Sequence, residues 1–370
     1  MRTIATAGAV VLALSLTVSI AGINAGLAIL TVAALMRVRE EGRRATDRLS
    51  EPLLLALLAY AVWGVVSAGV SADAAASSRT ALKDWHKVWT LAVLLLTADL
   101  ADGPTTAAAA GVGACVGATL GIAQVVSGFV ARAHGTVHPV SYGGLMALAT
   151  LVAGVSFAGG GEGRRGRAAS AAVAALCCAA AILSQTRSAI LAIVAGTAVA
   201  ALERPRWRRM AAWAAASATA AAAAIMTFAP AQGRGAGESY TPLGMRVVLW
   251  SVAWDAFLSK PWTGLGPGRY GAWYAAHGPM LDLQTVWTNA HNILFHQAAE
   301  RGLPGLVILL GVAACAGAGA KRSLRRGGNA AALVCTAAFA VLNMFETSFQ
   351  TEQVATGFLA VWAWAESRPR

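Results

Sequence analysis

Long apolar runs broken by short polar stretches fill this chain, and their spacing predicts about twelve helices, near residues 3–21, 23–37, 52–70, 86–99, 105–128, 140–158, 168–184, 187–202, 210–229, 291–319, 329–347 and 353–367. A helix needs about 20 apolar residues to cross a bilayer. In lipid only helices and closed barrels satisfy every backbone hydrogen bond, and these Ala/Leu/Val runs lack the alternation of barrel strands. The fold class that follows is an all-α polytopic integral membrane protein, one membrane domain over residues 1–370. The first apolar stretch, Thr3 to Met36, exceeds the apolar region of a signal peptide and reads as two helices joined at the Gly22-Ile23-Asn24 break.

One segment departs from this pattern. Residues 229–290 open with the glycine-rich AQGRGAGESY, a flexible loop by composition. Pro242 then starts a predicted helix, TPLGMRVVLWSVAWDAFLSK, whose Leu243, Val247, Trp250, Trp254 and Phe257 recur at three- and four-residue spacing. A tryptophan-rich stripe of this kind suits a helix lying along the membrane interface or packed on the bundle. Pro261 and GLGPGRY follow as a turn-forming run, ahead of the helix starting near 291.

Composition agrees with a membrane class: 57% of residues are hydrophobic and 12% charged, against roughly 25% charged in soluble domains. The net charge of +12 does not indicate nucleic acid, because the basic residues form short clusters between apolar runs, the positive-inside pattern. With both termini in the cytoplasm, 19 of the 29 Lys and Arg fall in cytoplasmic loops and tails. The other ten are Arg79, Lys83, Lys87, Arg132, Arg187, Arg234, Arg246, Lys260, Arg269 and Arg301. They fall on the external side with the 229–290 segment. Topology does not explain them. Interfacial anchoring accounts for some, and a phosphate-bearing ligand would suit a cluster of guanidinium groups. The five cysteines lie in apolar runs without metal-ligand spacing and read as small buried hydrophobes.

Polar groups beside lipid are costly and mark functional sites by default; they concentrate in TNAHNILFHQAAERGLPG, Thr288 to Gly305. Asn289 is the expected cap of the helix carrying His291. A neutral imidazole there is able to take a proton from a hydroxyl; the plainer alternative is a histidine that only bonds a loop carbonyl. His296 points to another face of the helix and reads as structural. Glu300 to Gly305 reads as a helix end, a glycine exit and a proline restart, with Glu300 able to orient a neighbouring Arg. Arg187, in the tight hairpin SQTRSAI, and Arg246, near a helix N-terminus that favours anions, are either ligand-facing cations or ordinary surface charges. The sequence holds no GxxxxGK[ST], HExxH or CxxC, and GLGPG lacks the full GxGxxG spacing. No pair of acidic residues shows metal-binding spacing, so neither metal nor cofactor is expected.

At SQTRSAILAIVAG, GMRVVLWSVAWDAFLSKPWTGLGPGRY and AHNILFHQAAERGLPGL, with ARAHGTVHPVSYGGLMAL upstream, the chain resembles the O-antigen ligase and O-antigen polymerase superfamily. That resemblance implies a GT-C-like fold in the bacterial inner membrane with a periplasmic site. It implies metal-independent glycan transfer from undecaprenyl diphosphate, a polyprenyl carrier, to lipid A–core in lipopolysaccharide assembly. It also implies His291 as the base and Arg187 and Arg246 as the residues engaging the diphosphate. Arg269, Asn292, Lys83, Lys87, Arg132 and Glu300 are weaker candidates for binding glycan or phosphate. The external segment is compact, and the chain lacks the C-terminal soluble domain of protein O-oligosaccharyltransferase relatives, which disfavours a protein acceptor. Two alternatives stay open: a polymerase acting on polyprenyl-linked repeats, and a transporter of a lipid-linked or anionic solute.

Overall fold

The computed structural model describes residues 1–159, 163–203, 242–281 and 286–366. The predicted helix 210–229, the AQGRGAGESY stretch and the basic cluster Arg204 to Arg209 lie outside the described residues. Within them the chain forms α1 (Arg2–Ser15), α2 (Ile20–Glu41), the short α3 (Arg43–Thr46), α4 (Pro52–Gly69), α5 (Ala74–Lys83), α6 (Trp85–Thr97), α7 (Gly103–Val126), α8 (Pro139–Gly159), α9 (Arg164–Leu183) and α10 (Arg187–Glu203). After the undescribed stretch come α11 (Pro242–Ser259), α12 (Tyr270–His277), α13 (Ile293–Arg325), α14 (Ala331–Phe345) and α15 (Glu352–Glu366). Among the described residues six helices (α2, α4, α7, α8, α9 and α13) are long and apolar enough to cross a membrane. This fits the all-α membrane class without establishing a count of twelve spans.

The first helical hairpin turns at residues 16–19 rather than at Gly22 to Asn24. Ser19 caps α2 by accepting a hydrogen bond from the Gly22 N–H at 3.1 Å. Gly22 and Gly26 instead lie inside α2 and let α1 approach closely: a Cβ on Gly22 would fall 2.2 Å from Ser15 Oγ, and one on Gly26 2.6 Å from the Leu12 backbone. Close approach of this kind replaces the hydrophobic driving force that helices lack in lipid. Helices α8, α9, α10, α14 and α15 pack in a second group, around a core that includes Met146, Leu148, Ile193, Val334, Leu342 and Trp362.

Helix α11 has the predicted extent, and much of its apolar stripe lies outside the face that packs on protein. It packs on α13 through Leu249, Val252, Ala253 and Ala256, while Leu243, Val247, Trp254 and Leu258 are exposed. Both faces are therefore apolar, as suits a helix with protein on one side and lipid on the other.

Helix α13 is bent where Gly302 takes φ 66° and ψ −168°, just before Pro304. Freed from the helix, the Leu303 N–H donates to the Pro261 carbonyl at 2.7 Å. A Cβ on Gly302 would sit 2.6 Å from the Trp262 backbone, so steric fit and positive φ both demand glycine. Gly302→Ala should lower stability by about 1–3 kcal/mol, read as a lower unfolding midpoint in detergent; an unchanged midpoint would mean that the bend relaxes freely.

Residues 261–269 run as a strap over this bend. Gly264, Gly266 and Gly268 alternate at positive φ. The intervening Thr263, Leu265 and Pro267 carbonyls accept hydrogen bonds from the hydroxyls of Ser67, Ser71 and Ser77 at 2.7, 2.7 and 2.9 Å. Leu265 and Gly266 N–H groups donate to the Ala299 and Glu300 carbonyls, both at 2.9 Å. The strap thus ties α4 and α5 to the upper part of α13. The short α5 and α12, unforeseen from periodicity, flank it.

Candidate active site

Asn289, not part of a helix, builds the turn that presents His291. Its Oδ1 accepts the His291 N–H at 2.8 Å, holding His291 at φ 49°. The helix cap is Asn292, whose Oδ1 accepts from the N–H groups of Leu294 and Phe295 at 2.9 and 3.3 Å. Asn292 Nδ2 also donates to the Met344 carbonyl at 3.0 Å. This corrects the expected cap at Asn289 and pins the end of α14 beside His291. Among the described residues only Gln185 and His291 are non-glycine residues at positive φ, an arrangement that costs energy and tends to be kept where function needs it.

The end of α14 delivers Glu346. His291 Nδ1 lies 2.8 Å from Glu346 Oε2, and Arg246 Nη2 lies 3.3 Å from Glu346 Oε1. With Glu346 ionised and the imidazole neutral, the carboxylate accepts from Nδ1–H and the lone pair is on Nε2. A carboxylate that fixes a histidine tautomer in this way recurs in base catalysis. Arg246 also lies over the Phe345 ring, 5.8 Å from its centroid, and the Trp287 ring meets His291 edge-on at 5.9 Å.

Beside this cluster opens a cavity of about 290 Å³ whose lining includes His291, Glu346, Asn289, His138 and Ser141. The loop before α8 brings Arg132 towards the same place. Its Nε donates to the Ser184 carbonyl at 3.0 Å. Burial pulls its guanidinium below the ordinary arginine range, and the Glu346 carboxylate opposes that shift. The α9–α10 hairpin packs on that loop, with Gln185 Nε2 donating to the Ala131 carbonyl at 3.1 Å and Thr186 Oγ1 to the Pro139 carbonyl at 3.2 Å. Arg187 follows this hairpin and is exposed. Arg132, Arg246 and His291 thus share Glu346 as a neighbour, while Arg187 begins α10 directly after Thr186.

Other candidates read from the sequence occupy a second polar cluster. Lys87 is buried and pairs with Asp84 at 2.7 Å, and Asp84 also bonds the guanidinium of Arg301, which is 1% exposed. Arg301 lies over the Tyr60 ring, 4.4 Å from its centroid, and the Tyr60 hydroxyl donates to Gln297 Oε1 at 2.6 Å. Glu300, also buried, accepts from the Tyr270 N–H at 3.1 Å and faces His296 at 3.5 Å. Arg269 pairs with Asp73 at 3.0 Å at the edge of the strap, and Lys83 is exposed on α5. Lys87, Glu300 and Asn292 are therefore engaged by internal partners rather than open to a ligand. Among the described residues no three His, Cys, Asp or Glu side chains gather as metal ligands would.

Sequence reasoning did not reach Glu346. Its signal was present in FETSFQTEQ, a polar interruption between the last two apolar runs, since a carboxylate in such a place asks for a partner.

A family profile described as O-antigen ligase matches residues 172–310, a span that holds Arg187, Arg246 and His291 and stops short of Glu346. No curated protein matches the chain. Over that span, 139 of the 370 residues, the chain is similar to O-antigen ligases.

Proposed function

We propose that this protein belongs to the O-antigen ligase superfamily and transfers a glycan from undecaprenyl diphosphate to lipid A–core at the periplasmic face of the bacterial inner membrane. The observation that supports this most is the His291–Glu346–Arg246 cluster at the mouth of a cavity. Glu346 holds the Nδ1 proton, and Nε2 of His291 takes the proton of the acceptor hydroxyl as its oxygen attacks the anomeric carbon. The bond from that carbon to the diphosphate oxygen breaks, and the diphosphate departs with the electron pair. Attack opposite the leaving group inverts the anomeric centre. Arg246, Arg187 and Arg132 stabilise the charge that develops on the diphosphate, a role in which guanidinium geometry excels. No step calls for a metal ion. The carrier's polyprenyl tail stays among the helices.

Glu346→Gln keeps the size of the side chain but offers an amide that can donate to Nδ1 and favour the wrong tautomer. Transfer should fall by at least about 10²-fold, with the acceptor KM little changed. Unaltered kcat would remove Glu346 from the mechanism.

The reading is tested with purified protein, undecaprenyl diphosphate glycan and lipid A–core in detergent, with and without chelator. Transfer to the core that survives chelation supports it. Glycan elongation in the absence of core would identify a polymerase instead. Movement of a lipid-linked or anionic solute across vesicles, with no glycan transferred, would indicate a transporter.

A further inference from the structure

The cavity at His291 is lined by two kinds of side chain. His138, His291 and Glu346 supply its titratable groups; beside them stand four hydroxyl side chains, Ser141 from the first turn of α8 and Thr347, Ser348 and Thr351 from the α14–α15 loop. The contrast with hydroxyls elsewhere is informative. Ser67, Ser71, Ser77 and Thr186 each donate to a backbone carbonyl, so they build the fold. Ser141, Thr347, Ser348 and Thr351 have no side-chain hydrogen-bond partner among the described residues.

The loop does not need those hydroxyls for its own shape. The Gln350 N–H donates to the Thr347 carbonyl at 2.8 Å and the Thr351 N–H to the Ser348 carbonyl at 3.2 Å. The Phe349 N–H is met by Asn343 Oδ1 at 2.8 Å. Four uncommitted hydroxyl side chains therefore line the same cavity as His291. Polar groups placed this way recognise a ligand by its own hydroxyls.

Size and charge narrow the ligand. At about 290 Å³ the cavity lies just below the roughly 300–1,000 Å³ of drug-sized pockets, which suits one sugar ring and not an oligosaccharide. Among the described residues no Arg or Lys lines it, so a diphosphate finds no cationic partner inside. The nucleophilic hydroxyl must reach His291 Nε2, so the ring that belongs here is the one that bears it.

Resting on the transferase reading above, we propose that Ser141, Thr347, Ser348 and Thr351 form the subsite for the acceptor sugar and determine which terminal acceptor sugar is used. Each hydroxyl contributes a neutral hydrogen bond, so removing one weakens acceptor binding about three- to tenfold.

The test uses full-length protein in detergent, with Thr347→Val, Ser348→Ala and the conservative Thr347→Ser. Two measurements are made: equilibrium binding of soluble, lipid-free core oligosaccharide without donor, and steady-state transfer with donor and acceptor varied separately. The expected result is weaker oligosaccharide binding and a raised acceptor KM in Thr347→Val and Ser348→Ala. The donor KM stays unchanged, and Thr347→Ser restores the wild-type values. Wild-type oligosaccharide binding in both variants would overturn the proposal, as would a raised donor KM with an unchanged acceptor KM. Failure of wild-type protein to transfer glycan to any core acceptor would instead defeat the transferase reading, while the binding measurement would still decide whether these hydroxyls hold a sugar.

Discussion

Alanine in place of His291 is expected to lower glycan transfer about 10²–10⁴-fold, the range a positioned general base contributes. The loss should appear in kcat, because the imidazole acts on a proton in flight and leaves the diphosphate contacts intact. The backbone needs its own control. His291 sits at φ 49°, where alanine is disfavoured by about 1–2 kcal/mol and asparagine is tolerated. His291→Asn should therefore match His291→Ala in lost activity while keeping the wild-type unfolding midpoint. Activity in His291→Asn within a few-fold of wild type would exclude the imidazole as base. So would a loss in His291→Ala that tracked its stability alone.

The second large effect is expected in folding. Arg301 is 1% exposed and joins Asp84, the Tyr60 ring and the backbone turn at the bend of α13. Gly64 makes room for its guanidinium, since a Cβ there would meet Nη1. Breaking a buried ion pair from one side costs about 3–5 kcal/mol, and Arg301→Ala should fall near about 3 kcal/mol because Lys87 still faces Asp84. The expected outcome is poor accumulation in membranes and a markedly lower unfolding midpoint. Arg301→Lys should recover little, because an ammonium cannot reproduce the planar stack on Tyr60. Wild-type stability in Arg301→Ala would mean that the pair contributes nothing net.

The two outcomes together separate the polar clusters: one whose loss silences a folded protein, and one whose loss removes the fold. Sequence reading distinguished them only in part. The long helices were legible because apolar runs with polar ends leave few alternatives, as at Pro52–Gly69 and Pro139–Gly159. Helix α5 was not, because AAASSRTALK carries no apolar stripe and is held by tertiary contacts such as Ser77 to the Pro267 carbonyl. Lys87 and Glu300 stood among the candidates for binding glycan or phosphate because composition reports charge and not the phase of a helix. Glu346 stayed hidden because its partnership with His291 spans 55 residues, a distance over which no periodicity speaks. The Asn289 turn, the Asn292 cap and the Glu346 loop act on one imidazole from three places, and only the first two adjoin it in sequence.

The strap at residues 261–269 has a consequence for anyone recombining this chain with its relatives. Its alternate carbonyls are read by Ser67, Ser71 and Ser77, side chains from the opposite half of the sequence, while Gly266 and Gly268 leave room for the side chains of Ser71, Ser77 and Thr80. A crossover that exchanges the strap without α4 and α5 would bring together a lock and a key cut for different doors. Viable chimeras should carry both pieces from one parent, so compatible breakpoints lie before α4 and after the bend of α13, not in the loops between.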